Sequence, residues 1–370
     1  MSQKSEMTLV LGGDLQVMNR FGDEMRTDSR YFLFLKFLEE ADIVFVNLEC
    51  TLTDYAYPAL GGFKGDPALA GDIASLGIDI VSLANSHILD FGNEGLFDTV
   101  KALDQVSIKH VGAGRNLEEA VREEVIEKNG LRIGFLSFSA YASRNNAAGV
   151  ARSERNLTRE KPGLAPIFVK TAFEIDPNPP FQPMPGISPF VIRTYVEEKS
   201  LQTVLDKIRE VKKKVDFLFF GVHWGLSFQK DLSMEVCEYQ PPLAHAMVDA
   251  GVDVVVGHHP HHAHGLEIYK GKPIFYSLGN FLYHRTGKML YERYGVHYHE
   301  QIFARVKIAE GKIAGVEVIP TLIDEKGLTT ISDLKGRDQM LKYLEGFENI
   351  YKFGTKYVAQ DRAVPIGVSV

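Results

Sequence analysis

Five short apolar runs in this chain each stop at residues that carry chemistry, and that pattern restricts the fold more than any other feature. Thr8-Leu9-Val10-Leu11 leads into Gly12-Gly13-Asp14, and Ile43-Val44-Phe45-Val46 into Asn47-Leu48-Glu49. Ile78 to Leu83 ends in Ala84-Asn85-Ser86-His87, with Asp90 close behind. Phe217 to Val222 ends in His223-Trp224-Gly225, and Val252 to Val256 in Gly257-His258-His259-Pro260-His261. Short runs rich in β-branched and aromatic residues, bounded by turn residues, read as buried parallel strands. Helical spacing fills the gaps between them: Ser29–Glu40, a helix opened by Asp66-Pro67 and ending at about Leu76, one ending near Gln105, Lys199–Val215 and Pro241–Ala250. Strands alternating with helices predict an α/β fold.

In open α/β sheets, ligands gather outside the carboxyl ends of the strands. The five strand ends are therefore expected to converge. A single Asp after a strand is ordinarily a cap or turn residue, and a lone His beside Trp224 is as often core. Five such ends in one chain are poorly explained that way. The last is the densest, with five of the 12 histidines between His258 and His264. Imidazole is a common metal ligand and the usual acid or base near neutral pH.

The remaining chain is read more coarsely. Glu124–Glu127 and Leu131–Phe138 flank Asn129-Gly130, a hairpin signature. Leu266–Tyr269 with Pro273–Ser277, and Gln301–Ile308 with Ile313–Ile319, read as later hairpins, giving the C-terminal half an antiparallel part. Residues 141–196 are rich in proline and polar residues and read as an irregular insertion over the site. The domain is expected to span 7–325, with a C-terminal helix (Ser332–Phe353) and tail in 326–370.

A net charge of −7 gives no sign of a nucleic-acid surface. Two cysteines, Cys50 and Cys237, make no disulfide framework or cysteine-based zinc site. The polar start of the chain resembles no leader and no stretch reaches the ~18 apolar residues of a membrane span, so the expected setting is cytoplasmic. Mixed carboxylate, amide and imidazole donors suit Mn, Fe or Zn better than Ca or Mg. One or two such ions, with a shared carboxylate and an activated water, would make a hydrolase.

Taken in order, Gly13-Asp14, Asn47-Leu48-Glu49, Asn85-Ser86-His87 with Asp90, Gly92 and Gly95, His223-Trp224-Gly225, Gly257 with His259-Pro260-His261, and Ser277-Leu278-Gly279-Asn280-Phe281 resemble the CapA family of capsule (poly-γ-glutamate) biosynthesis proteins. That family is a branch of the calcineurin-like metallophosphoesterase fold. The resemblance covers about residues 7 to 285 and implies a two-sheet α/β sandwich with metal at one edge. It implies that Asp14, Glu49, Asn85, His223, His259 and His261 are metal ligands, with Glu49 in the bridging place. His87 is implied as acid/base with Asp90 orienting it, Asn280 as support behind the ligands, and Asn47 and His264 as pocket residues. Arg20, one turn past Asp14, is our candidate for an anionic substrate group. Three positions depart from the pattern. Gln16 stands where metallophosphoesterases usually carry histidine, which implies that one of two metal positions is weak or absent. Ser227 replaces a glutamate and His264 a glutamine, which implies an altered pocket. An export or membrane segment typical of capsule proteins is not evident.

The function expected from these readings is metal-dependent hydrolysis of an amide, a poly-glutamate-like peptide or a phosphoester. Two alternatives stand beside it: metal-assisted epimerisation of a peptide Cα, and binding of an anionic polymer without turnover. Oligomeric state is not legible in the sequence.

Overall fold

The computed structural model describes residues 6–58, 62–143, 146–149, 161–175, 190–226, 235–284, 301–359 and 365–369. All five expected strands are present, as Met7–Gln16, Ile43–Leu48, Ile80–Ser82, Phe217–His223 and Val254–His258. They belong to two sheets. The first three lie in a 10-stranded sheet, where Met7–Gln16 is central. On one side it runs parallel to Ile43–Leu48, which in turn pairs with Ile80–Ser82. On the other, its first half runs antiparallel to Gln301–Ala309 and its last residues parallel to Asn280–Tyr283. The last two of the five lie in a 6-stranded sheet. There, Phe217–His223 is flanked in parallel by Leu131–Ser139 and Val254–His258.

Alternation along the strands makes the layers. Leu9, Leu11, Phe45 and Ile80 point from the large sheet into a core shared with Phe135, Phe219, Val254 and Val256 of the small one. The Phe45 and Phe135 rings meet across it with centroids 5.4 Å apart. Residues of the opposite parity face outward. Val10, Val44 and Val46 pack under Phe34, Leu38, Ile73 and Leu96 of the helices over the large sheet. Leu136, Phe220 and Val255 pack under Val204, Ile208, Leu243 and Met247 of Glu198–Lys212 and Gln240–Ala250. Each such side chain gains roughly 1.5–3 kcal/mol on burial, before conformational entropy is charged against it. The molecule is thus a mixed α/β fold with two sheets face to face and helices outside both.

Two stretches are more ordered than the sequence reading allowed. Within 141–196, Val169–Ile175 and Phe190–Val196 form an antiparallel ribbon, and Gly163–Leu164 pairs with Ala113–Gly114. The Arg144–Lys161 polar run, except residues 146–149 and Lys161, and Asp176–Pro180 lie outside the described residues. The described residues of 326–370, read as a helix and tail, are woven into the fold. Thr329–Ile331 and Ile366–Val368 both pair with the long strand Lys312–Ile323, and Tyr357–Ala359 pairs with Ile366–Val368. The helix Leu334–Tyr351, capped by the Asp333 carboxylate, sends Met340 and Leu344 into the core between the sheets. Strands of three residues leave no periodic trace, because their pairing comes from distant partners.

Candidate metal centre

Parallel register assembles the site. Asn280, Asp14, Asn47 and Ser82 lie opposite one another on four adjacent strands, forming one row across the large sheet. Facing it, Ser139, His223 and His258 form a row at the carboxyl end of the small sheet. The Asp14 strand reaches its place through a close approach of two glycines. The Asp14 amide donates to the Gly279 carbonyl at 2.8 Å, and a Cβ on Gly13 would collide with that same carbonyl. Gly279 itself has a φ of +74°, which favours glycine.

Asp14 is fully buried and saturated with contacts. Its Oδ1 accepts from Asn47 Nδ2 at 2.8 Å, and its Oδ2 accepts from the His259 amide at 3.1 Å. His261 Nδ1 lies 3.3 Å from the same Oδ2, 3.7 Å from Glu49 Oε2 and 2.9 Å from Asn280 Oδ1. On the other side of Glu49, Oε1 lies 3.5 Å from His223 Nε2 and 3.5 Å from Ser86 Oγ. One ligand atom from each of Glu49, His259 and His261 lies within 4.8 Å of the others.

Electrostatics follow from burial and crowding. Burial and the neighbouring Asp14 charge push the Glu49 carboxyl well above its usual range. Burial alone would also raise Asp14, but His261 and Asn47 outweigh it and hold it below the ordinary value. Burial opposes a charge on His261, yet Glu49 and Asp14 prevail and raise it to about 9. His259 has no such partner, so burial and then the His261 charge lower it to about 3. His223 is likewise held well below its normal value, by burial and then by His259. Two imidazoles held below their ordinary value therefore stand beside the Asp14 and Glu49 carboxyl groups.

Three of the four ring nitrogens of His223 and His259 have no hydrogen-bond partner among the described residues. Among the described residues, Nδ1 and Nε2 of His259, Nδ1 of His223 and Oε2 of Glu49 are buried without a hydrogen-bond partner. An unmet buried polar atom costs about 1–3 kcal/mol. His259 and His261 also sit at φ of +97° and +62°, values that non-glycine residues adopt at a cost and that gather at functional sites. Unspent donors, strained backbone and a mixed oxygen/nitrogen set fit a divalent transition ion.

Around this centre, His87 Nδ1 lies 2.9 Å from Asp90 Oδ2, which also accepts from the Phe63 amide at 3.2 Å. The Phe63 ring stands edge-on to His87 at 4.1 Å. His87 is partly exposed and Asp90 buried, so the imidazole is presented on the rim by a fixed carboxylate.

Other expected site residues are placed differently. Asn85 joins the cluster, but its Oδ1 accepts from the amides of His87 and Ile88, each at 3.0 Å, and its Nδ2 donates to the Leu48 carbonyl at 2.7 Å. Both polar atoms of the Asn85 amide are thus engaged within the chain. Asn47, expected at the substrate, lies fully buried beneath the cluster and links Asp14 to Asn85 Nδ2 at 3.1 Å. Arg20 is drawn away. Its Nε and Nη2 hold Asp72 at 2.8 and 2.6 Å, a bidentate pairing for a mostly buried carboxylate. His264 is buried against the Phe347 ring, with centroids 5.3 Å apart. Ser227 lies outside the described residues.

The sequence reading missed two neighbours, Tyr141 and Ser86, and read Gln16 only as the mark of a weak or absent metal position. The Tyr141 ring lies 3.9 Å from His259 and 5.8 Å from His223, at the mouth of the cluster. Its signal was a sixth strand end, Ser139-Ala140-Tyr141, hidden because Leu131–Ser139 was read only as half of a hairpin. Ser86 and Gln16 were visible as neighbours of Asn85 and Asp14, but only the folded chain gives them partners or denies them.

Comparison with known proteins gives the family. Residues 8–285 match the family described as "Bacterial capsule synthesis protein PGA_cap". The chain is 29% identical over 285 residues to the uncharacterized protein y4sH of Sinorhizobium fredii, covering 67% of this chain and 60% of that protein. It is 25% identical to the capsule biosynthesis protein CapA of Bacillus anthracis over 364 residues, covering 92% of this chain and 74% of that one. Against the PGA biosynthesis protein CapA of Bacillus subtilis it is 30% identical over 228 residues, covering 61% and 48%. The chain therefore spans about 60% of the length of the Sinorhizobium relative. With three-quarters of its residues inside the family match, this chain belongs to the bacterial capsule synthesis protein PGA_cap family.

Proposed function

We propose that this chain is a metal-dependent hydrolase of metallophosphoesterase type, acting on an amide of a poly-glutamate-like peptide or on a phosphoester. The observation that carries the reading is the set of unpartnered buried atoms on His259, His223 and Glu49, gathered beside Asp14 and His261. Those five residues would hold the ion. When bound, a divalent transition ion there polarises a carbonyl or phosphoryl oxygen and acidifies water.

The chain's own residues do the rest. Asn280 fixes the His261 ring, and Asn47 orients the Asp14 carboxylate. His87 protonates the leaving group from the rim, with Asp90 fixing its ring. Tyr141 covers His259 and restricts water at the mouth. The resemblance to poly-γ-glutamate biosynthesis proteins, with relatives named for capsule and PGA biosynthesis, directs the substrate search to γ-linked glutamate amides first.

The test is metal content by mass spectrometry on untagged protein, wild type and His259→Ala, followed by assay of γ-glutamyl amides and phosphoesters. Bound Mn, Fe or Zn that is lost in the variant, with product formed only by the metal-loaded wild type, supports the reading. Tight substrate binding without product, or a wild type that takes up no transition ion, overturns it. Solvent deuterium entering recovered substrate, with no hydrolysis, would instead favour epimerisation.

A further inference from the structure

Gln16 is a buried polar side chain that the reading above leaves unused. It is fully buried, and neither its Oε1 nor its Nε2 has a hydrogen-bond partner among the described residues. An amide in that state lacks both an acceptor and a donor, and native proteins seldom leave both ends so.

Register shows where it stands. Asp14 and Gln16 are two apart on one strand and share a face, while Leu15 and Val17 between and beyond them enter the outer core under the helices. Leu15 pairs with Leu48, and the Glu49 amide donates to the Leu15 carbonyl at 2.9 Å, so Gln16 and Glu49 each follow directly on a paired position. On its other side Gln16 pairs with Tyr283, whose ring lies 5.2 Å from His261. The His284 amide donates to the Gln16 carbonyl at 3.1 Å, which pins the backbone there. Gln16 therefore lies two residues beyond Asp14 on its strand, opposite Tyr283 and past a register shift that follows the Asp14–Asn280 pair.

What could satisfy it is limited by space. The cluster residues Asp14, Glu49, His259 and His261 are at most 5% exposed, so a partner there is no larger than an ion or a water molecule, and the carboxyl groups of Asp14 and Glu49 favour a cation. We propose that Gln16 Oε1 is a ligand to a cation held beside Asp14 and Glu49, completing a second ion position in the cluster. This rests on the metal reading above, and it reverses the expectation that Gln16 marks a lost position. A neutral amide oxygen is a harder donor than imidazole, so the position would prefer Mn²⁺ to Zn²⁺ more than a histidine there would allow.

The experiment is calorimetric titration of the untagged, chelator-stripped full chain with Mn²⁺ and, separately, Zn²⁺, with stoichiometry checked by mass spectrometry. It compares wild type with Gln16→Leu, Gln16→Glu and Gln16→His. Loss of one equivalent of Mn²⁺, or at least tenfold weaker Mn²⁺ binding, is expected in Gln16→Leu. Tighter Mn²⁺ binding is expected in Gln16→Glu, and a tenfold shift of preference toward Zn²⁺ in Gln16→His. If Gln16→Leu fails to fold, the other two variants decide. Wild-type binding with all folded variants indifferent overturns the Gln16 assignment alone. A wild type that binds neither ion overturns both this assignment and the metal reading.

Discussion

His87 Nδ1 stands 2.9 Å from Asp90 Oδ2, at the rim of a cluster whose Asp14, Glu49, His223, His259 and His261 are almost fully buried. That pairing fixes both the tautomer and the direction of the one imidazole that a substrate can reach without displacing the core. We expect His87→Gln to lower kcat by about 10²–10⁴-fold with bound metal unchanged. Asp90→Asn should cost less and also alter the pH profile of kcat, because the amide presents a donor as readily as an acceptor to Nδ1. Steady-state kinetics with metal analysis of the same preparations checks both.

His259 makes no side-chain hydrogen bond, so its removal separates metal binding from stability. His259→Ala should change the melting temperature of stripped protein little, by about 1 kcal/mol or less in stability. The gain on adding metal, about 2.7 kcal/mol at a hundredfold excess over Kd, should vanish. Thermal melts with and without Mn²⁺ or Zn²⁺ give both numbers.

The Gly13–Gly279 approach carries a structural prediction. A methyl group on Gly13 meets the Gly279 carbonyl, which is backbone and also accepts from Asp14. Gly13→Ala should destabilise by about 2–4 kcal/mol, as overpacking of a core does. Any folded fraction should bind metal more weakly, since Asp14 follows directly. Urea denaturation measures the first effect and metal titration the second.

Arg20 offers a contrast. Its guanidinium is committed to Asp72 and its side chain is largely exposed. Arg20→Ala should leave metal content and turnover within about twofold of wild type and cost about 1 kcal/mol or less. A large selective rise in KM would return Arg20 to the substrate site.

Away from the site, Glu123 binds Lys207 at 2.8 Å and Lys214 at 2.7 Å. Burial would raise its pKa, but the two lysines outweigh that and depress it to about 2. A folded-state value below the unfolded one stabilises at pH above the unfolded value, and that contribution is lost as pH falls through the folded value. Glu123→Gln should therefore lower the melting temperature at pH 7, by about 1–2 kcal/mol in stability after solvent screening. The gap between variant and wild type should close progressively between about pH 4.5 and pH 2, as melts across that range would show.

Strand identity and site composition were largely legible in the residues. Apolar runs such as Ile43–Val46 and Val252–Val256 specify burial on both faces, and burial on both faces makes a parallel interior strand. A polar residue that ends such a run is held at the sheet edge, so Asp14, Glu49, His223 and His259 could be named before any coordinates. Local sequence cannot carry pairing between distant strands or competition for partners. Register alone put Asn280, Asp14, Asn47 and Ser82 in one row and divided the five strand ends between two facing sheets. Competition drew Arg20 to Asp72, His264 to Phe347 and the Asn85 oxygen to its own turn, while leaving the side chains of His259 and Gln16 without a hydrogen-bond partner among the described residues. A hydrogen bond is won or lost in three dimensions, against every other group within reach, and the chain in one dimension does not contain that contest.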